Sequence, residues 1–276
     1  MFVVKISSGF GNQLFQYAFA LFLKKEGCQD VRLDKSAFNY FTSKRTCGID
    51  LISELPTVQD RRIYYRYRSF LFNIGKFFFQ LNPFVKLVTE KTLKFPLKGR
   101  FVFFDGFWQT DKYINQLGDW ETCFHPKEVT PEYIDNMAAS MENVYAISLH
   151  VRRGDYFSEE YKDRYGVCDV AYYEKAIDLL TKGLPDYRIY IFSDEPEWVK
   201  ANLHLPVNHV FVENENLHPY WHIWLMSRCR DHIISNSSFS WWGAYMGKHP
   251  EKRVVAPKVW MKGHKETIAL PDWIKL

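Results

Sequence analysis

Two arginines and an aspartate close an apolar run, Ser148-Leu149-His150-Val151-Arg152-Arg153-Gly154-Asp155-Tyr156. The run starts at Val144, reads as a buried strand, and breaks at Gly154. A guanidinium offers paired planar donors and stays charged, which suits it to phosphate. In open α/β sheets, ligands bind beyond the carboxyl ends of the strands. The competing reading is structural: Arg152 and Arg153 pair with carboxylates, Asp155 among them, and staple the loop. Ion pairs of that kind are common, so the motif alone favours the staple, and its neighbours must shift the balance.

Three further stretches bear on that choice. Gly9-Phe10-Gly11-Asn12-Gln13-Leu14 lies where a strand should pass into a helix, the place for a phosphate loop. It is not a dinucleotide fingerprint, because Leu14 stands where the third glycine of G-x-G-x-x-G belongs. Asp34 could still mimic a ribose-binding acid, which keeps a nicotinamide-dependent oxidoreductase as a formal alternative. Asn12 and Gln13 can donate to a ligand, although for Asn12 alone helix capping is the cheaper reading. Ser193-Asp194-Glu195-Pro196 ends another strand; its carboxylate suits a purine edge or sugar hydroxyls, or else caps a helix that Pro196 begins. Ser235-Asn236-Ser237-Ser238-Phe239-Ser240-Trp241-Trp242-Gly243 sets hydroxyls and backbone N–H groups at a helix start, with the helix dipole behind them. Capping needs one such hydroxyl, so the cluster is the more specific signal.

Two patterns are missing from the sequence. It has no Asp-x-Asp to hold a metal on a diphosphate, and no His/Cys/carboxylate cluster at metal-ligand spacing. Phosphate charge would then fall to arginine and to helix N-termini.

The elements that must position these residues follow from periodicity. A strand over 3–6, a helix over 12–25 with Leu14, Tyr17, Ala18, Leu21 and Phe22 on one face, and a strand over 31–34 open the chain as a nucleotide-style α/β domain. A strand is expected over 101–104, then a polar stretch to Trp120 and a boundary across 122–131 with its two prolines. Beyond it, strands over 144–149, 188–193, 209–213, 232–235 and 253–256 alternate with helices over 169–182, 196–203, 219–230 and 238–248. Asp169 is the expected N-cap of the first of these helices and Gly183 its stop. Such alternation implies a parallel sheet with right-handed crossovers. The expectation is an N-terminal domain over 1–128 and a C-terminal domain over 129–276, facing each other across a cleft.

The 276 residues suffice for two domains, and 47% hydrophobic and 25% charged residues are those of a soluble globular protein. No run approaches the ~20 apolar residues of a bilayer span. The opening Met1–Ser8 is too short and strand-like for a signal peptide. Five scattered cysteines without Cys-x-x-Cys spacing point to free thiols in a reducing compartment, hence the cytoplasm. The net charge of +4 is local: residues 61–100 hold ten Lys or Arg against Glu90 alone, leaving the remainder at −5. That stretch also carries Tyr64, Tyr65, Tyr67, Phe70, Phe72 and Phe77-Phe78-Phe79. Its composition allows peripheral contact with an anionic inner membrane face, while a helical insert with a Phe-rich core face is the favoured reading. No nucleic-acid-binding signature is present.

Taken together, GFGNQLFQYAFA (9–20), HVRRGDY (150–156), SDE (193–195) and SNSSFSWWGAY (235–245) resemble the bacterial α-1,2-fucosyltransferases of glycosyltransferase family 11. The resemblance implies a GT-B-like α/β architecture of two Rossmann-type domains. It implies metal-independent, inverting transfer of L-fucose from GDP-fucose to O2 of a terminal galactose, with no cofactor beyond that co-substrate. It places Arg152 on the donor β-phosphate with Arg153 in support, and assigns His150 and Asp194 to holding the nucleotide. Ser237, Ser238 and Phe239 would lie at the diphosphate, Gly11 and Gln13 in the donor-side N-terminal loop, and Asn12 at the reacting centre. Asp155 is the first candidate for the general base and Glu160 the second. His222 departs from the pattern, since many members carry an acidic residue there. The remaining alternative outside catalysis is a glycan-binding protein.

Overall fold

The structure, a computed structural model, describes residues 1–40, 45–58, 85–97, 99–157, 162–165, 168–212, 216–263 and 266–276, with backbone alone for Tyr40, Val85 and Asp155. Glu160, most of the basic aromatic stretch 61–100 and the last residue of the strand expected over 209–213 lie outside the described residues. The chain divides into two compact units, Met1–Val129 and Thr130–Leu276.

In the first unit, β1 (Phe2–Lys5) leads into α1 (Phe10–Lys25) and returns as β2 (Val31–Asp34). β3 (Val85–Val88) and β4 (Phe101–Phe104) complete a parallel sheet of order β2-β1-β4-β3. Residues 85–88 are therefore a strand, although they sit in the stretch whose composition suggested a helical insert. α1 is buried on most of its circumference, which explains why its apolar residues fill more than one stripe. Phe19 stacks on Trp108 at 3.8 Å and meets Tyr113, in α2 (Asp111–Asn115), edge-on at 4.9 Å. The helix begins two residues before Asn12, with Gly9 as its N-cap, so Asn12 is not a cap.

The second unit opens with α3 (Glu132–Glu142), a helix that the prolines of the expected boundary disguise; Pro131 is its N-cap. β5 (Ala146–Val151), β6 (Arg188–Ser193), β7 (His209–Phe211), β8 (Asp231–Ile233), β9 (Val254–Ala256) and β10 (Ile274–Lys275) form one parallel sheet of order β10-β9-β8-β5-β6-β7. Every residue of β5 is buried, as a central parallel strand covered on both faces requires. The crossover helices are α4 (Val170–Thr181), α5 (Pro196–Asn202), α6 (Pro219–Arg228) and α7 (Ser238–Met246). Asp169 caps α4 by accepting from Tyr172 N at 2.8 Å, and Gly183 follows it at φ +79°. Tyr173, Ala176, Ile177 and Leu180 of α4 pack on Ile147, Leu149 and Ile191 of the sheet.

At the amino edge of this sheet one carboxylate ties three strands. Asp231 at the start of β8 is fully buried; its Oδ2 accepts from Arg253 Nη2 at 2.6 Å and from Tyr145 Oη at 2.9 Å, and its Oδ1 from Arg253 N at 2.8 Å. Arg253 also donates to Leu180 O at the end of α4, at 2.7 Å. Removing the charge of Asp231 leaves a guanidinium desolvated without its counter-ion, a loss of ~3–5 kcal/mol for a fully buried pair. The Arg253 side chain is 36% exposed, so the loss is discounted. Asp231→Asn is expected to lower the urea midpoint of the second unit by an amount equivalent to about 2 kcal/mol, with the slope unchanged.

Candidate active site

Chain order reverses at the β5–β8 pair: β6 and β7 extend the sheet on one side of β5, and β8, β9 and β10 on the other. This is a topological switch point, the place where a parallel sheet leaves a crevice at its carboxyl edge. The ends of β5, β6 and β8 deliver Arg152-Arg153, Asp194-Glu195 and Ser235-Asn236-Ser237 to that edge. Three of the four motifs thus come together through topology alone.

The arginines are held by the neighbouring strand. Asp194 Oδ2 lies 2.9 Å from Arg152 Nη1, while its Oδ1 accepts from Arg153 N at 3.0 Å. Asp194 is therefore not a helix cap; Glu195 occupies that position, with Pro196 at the first turn of α5. Arg153 pairs with Glu195 at 3.2 Å, and its guanidinium stacks 4.0 Å from the Phe157 ring centre and 3.6 Å from that of Trp198. Sandwiched between two rings, Arg153 is a packing element. Arg152 is 26% exposed at its side chain and can be reached from outside. Gly154 makes this arrangement fit, because a Cβ there would collide with the Asp194 carboxylate. Asp155 lies in the 3₁₀ turn Gly154–Phe157, its side chain outside the description as Glu160 is entirely.

Beneath Arg152, His150 Nδ1 and Ser235 Oγ form a hydrogen bond at 2.9 Å. Ser240 in turn donates to Ser235 O and Ser237 O, at 3.4 and 3.3 Å. Asn236 crosses from β8 to the surrounding loops, donating to Tyr165 O at 2.9 Å and Trp260 O at 3.0 Å. Ser237 is the N-cap of α7 and accepts from Phe239 N at 3.3 Å. Ser238 and Phe239 stand half-exposed at the first turn of the helix. The positive end of the α7 dipole thus shares one sheet edge with Arg152. His222, on α6, lies beside this edge with its ring 6.4 Å from that of Phe192.

The first unit has its own switch point, at the β1–β4 pair. The first turn of α1 carries Asn12, whose Nδ2 donates to Ser8 Oγ at 3.0 Å and whose Oδ1 accepts from Gln109 Nε2 at 2.7 Å. Gln13 is buried and occupied with backbone: it donates to Ser8 O and Thr46 O, each at 3.0 Å, and accepts from Gly48 N at 2.9 Å. Gly11 is buried in the same turn. Arg45 packs over Gly9 so closely that a Cβ there would strike its guanidinium. Ser8 and Trp108 adopt left-handed backbone, φ +70° and +57°, a strain of ~1–2 kcal/mol each. Gln109 and Arg45 went unnoticed in the sequence because neither stands in a recognisable motif. The dipeptide Trp108-Gln109 in the loop after the apolar β4 was the available signal. Among the described residues, no three His, Cys, Asp or Glu side chains form a metal-holding group, and no helix is long and apolar enough to cross a membrane.

Burial, and then the positive charges of Arg152 and His222, push His150 down from 6.5 to about 3; burial and Lys252 do the same to His232, also to about 3. Both imidazoles are neutral in the folded protein and become cationic in the unfolded chain below about pH 6.5. Their stabilisation is therefore complete above that pH and is lost as pH falls toward 3. Unfolding free energies measured between pH 6 and pH 5 should fall by roughly 1 kcal/mol per histidine. His232→Asn should reduce that pH slope by half.

Comparison with known proteins agrees with this architecture. The model of glycosyl transferase family 11 matches residues 1–276. The O-antigen biosynthesis glycosyltransferase WbnK of Escherichia coli is 29% identical, across 98% of this chain and 99% of that protein. An alpha-1,2-colitosyltransferase of Escherichia coli is 28% identical, across 94% and 92%. In three dimensions, the fucosyltransferase NodZ from Bradyrhizobium superposes with a TM-score of 0.54 at 13% identity, covering 88% of this chain and 91% of that one. The NodZ alpha-1,6-fucosyltransferase soaked with GDP-fucose gives 0.51 at 13% identity, over 88% and 90%. At that identity the likeness establishes the fold, a GT-B-like α/β architecture built on parallel sheets. With its motifs gathered at two switch points and a family match over its whole length, this chain is a glycosyltransferase and belongs to glycosyl transferase family 11.

Proposed function

We propose that the protein transfers L-fucose from GDP-fucose to O2 of a terminal galactose on an oligosaccharide or glycolipid, with inversion and without a metal. The observation that carries this reading is Arg152, fixed by Asp194 at the switch point of the second sheet, on the same edge as the capped N-terminus of α7. A cation and a helix dipole in that arrangement suit a diphosphate. The second unit binds the donor through Arg152, Asp194, Ser237, Ser238 and Phe239, with His150 and Arg153 bracing the loops around them. The first unit takes the acceptor, and Asn12 in the first turn of α1 serves the reacting centre.

The acceptor hydroxyl attacks fucose C1 from the face opposite GDP. The C1–O bond to the β-phosphate breaks through an oxocarbenium-like transition state, and the hydroxyl proton passes to a base, Asp155 first and Glu160 second. Negative charge grows on the β-phosphate as GDP departs, so Arg152 binds the transition state more tightly than the ground state. His150 is neutral and acts by fixing Ser235. Peripheral membrane contact through residues 61–100 would bring the enzyme to a lipid-linked acceptor.

A second donor has a specific observation in its favour, the relative that carries the name alpha-1,2-colitosyltransferase. Colitose lacks the 3-hydroxyl of fucose. A site that hydrogen-bonds that hydroxyl discriminates strongly against the deoxy sugar, whereas an apolar site does so weakly.

GDP release from GDP-fucose, with and without lactose, tests the reading directly. Lactose-dependent turnover should persist in EDTA, and Arg152→Ala should lower it by on the order of 10²-fold or more. Arg152→Lys should not restore it, because one ammonium cannot serve Asp194 and phosphate in the same fork geometry. Turnover with GDP-colitose alone would keep the fold and the site and change the donor.

A further inference from the structure

The Asn12–Gln109 contact joins the first turn of α1 to the loop after β4 at the first switch point, and neither partner needs it for folding its own element. Asn12 is the third residue of α1 and caps nothing, since Gly9 is the N-cap. Gln109 precedes Thr110, which caps α2 by itself through Lys112 N. Yet the loop that presents Gln109 is pinned at every residue. Asp105 pairs with Lys5 at 2.9 Å, Gly106 O accepts from Gln16 Nε2 at 3.0 Å, and Glu90 Oε1 accepts from both Phe107 N and Trp108 N at 2.6 Å. Trp108 is held in its left-handed conformation with its indole stacked on Phe19. On the other side, Ser8 is left-handed as well and sets its hydroxyl 3.0 Å from Asn12 Nδ2. Two strained non-glycine residues, one in each loop, thus converge on a single carboxamide. Strain of this kind persists where the surrounding structure enforces it, and it clusters at functional sites.

We propose that Gln109 is a positioning residue for the transfer reaction: by donating to Asn12 Oδ1 it fixes the carboxamide so that Asn12 meets its ligand as an N–H donor. With Oδ1 committed to Gln109 and one Nδ2 proton to Ser8, the other Nδ2 proton is what Asn12 has to offer. Through that proton Asn12 serves an oxygen of the donor sugar or of the attacking acceptor. This inference rests on the placement of Asn12 at the reacting centre under the proposed function. It adds the residue that orients Asn12 and the direction of its hydrogen bond.

The test is a double-mutant cycle read on turnover, with thermal stability recorded alongside. Gln109→Glu keeps the size of the side chain but replaces the donating amide by an acceptor, and Gln109→Ala removes it. Both should lower kcat by on the order of tenfold to a hundredfold, as misorientation of a group at the reacting centre does. KM for GDP-fucose and the melting temperature should stay near the wild-type values. Once Asn12→Ala has been made, adding Gln109→Ala should change kcat by less than roughly twofold. Losses that multiply in the double variant, or a fall in melting temperature that accounts for the lost activity, would overturn the proposal. The side-chain ¹H–¹⁵N amide signals of Asn12 give a reading independent of turnover. They should be well separated in the wild type and collapse toward free-carboxamide positions in Gln109→Ala; signals that do not move would refute the contact. If wild-type protein is silent with GDP-fucose, the proposed donor fails, and the amide signals still decide whether Gln109 holds Asn12.

Discussion

The bridge from Asp194 to the residues after β5 is the constraint around which the second unit is arranged. One carboxylate oxygen takes the Arg152 guanidinium and the other takes the backbone N–H of Arg153, so the loop cannot turn without carrying the side chain with it. The bridge requires β6 to lie beside β5 in parallel and in register, with Val151 opposite Ser193. It also requires glycine at 154, where the carboxylate occupies the space of a side chain. An arginine restrained in this way loses less conformational freedom when it meets an anion, and that preorganisation is what separates a catalytic guanidinium from a surface one. Arg153, by contrast, is spent on Glu195 and two aromatic faces. Two adjacent arginines in the sequence therefore have different physical tasks.

The two units solve the same problem with different materials. In the second, charge is fixed by charge, and a neutral imidazole buried under Arg152 braces the serine loop without adding a competing cation. In the first, amides fix amides: Gln13 and Gln16 stitch α1 to the loops around it, and Gln109 meets Asn12. Amides suit that role because they supply donor and acceptor together and do not titrate.

Much of this was legible from residue types and period. The strands at 31–34, 101–104 and 188–193, the cap at Asp169 and the stop at Gly183 follow from local chemistry, and the structure has them. The elements that escaped have physical reasons. β3 is four residues inside a stretch dominated by Lys, Arg and Phe, and β10 is two residues long, too short for any period to register. α3 follows directly on prolines that otherwise signal a linker. At the site, the residue types around Arg152 could be read, but their pairing could not. Its partner Asp194 comes from the next strand, and sequence distance hides that pairing. Gln109 and Asn12 stand 97 residues apart, beyond the reach of local reasoning.

The strand order of the first sheet has a consequence for the life of the chain before it is finished. β1 is central, yet on one side its partner is β4, whose residues 101–104 leave the ribosome long after those of β1, α1 and β2. Until then Val3 and Val4 present an unpaired, apolar strand edge, and α1 lacks the Trp108 ring that covers Phe19. An open edge of that kind is a template for pairing with the wrong chain. The nascent first unit is thus held incomplete during synthesis of the segment between β2 and β4, the interval in which the protein most depends on being kept apart from its neighbours.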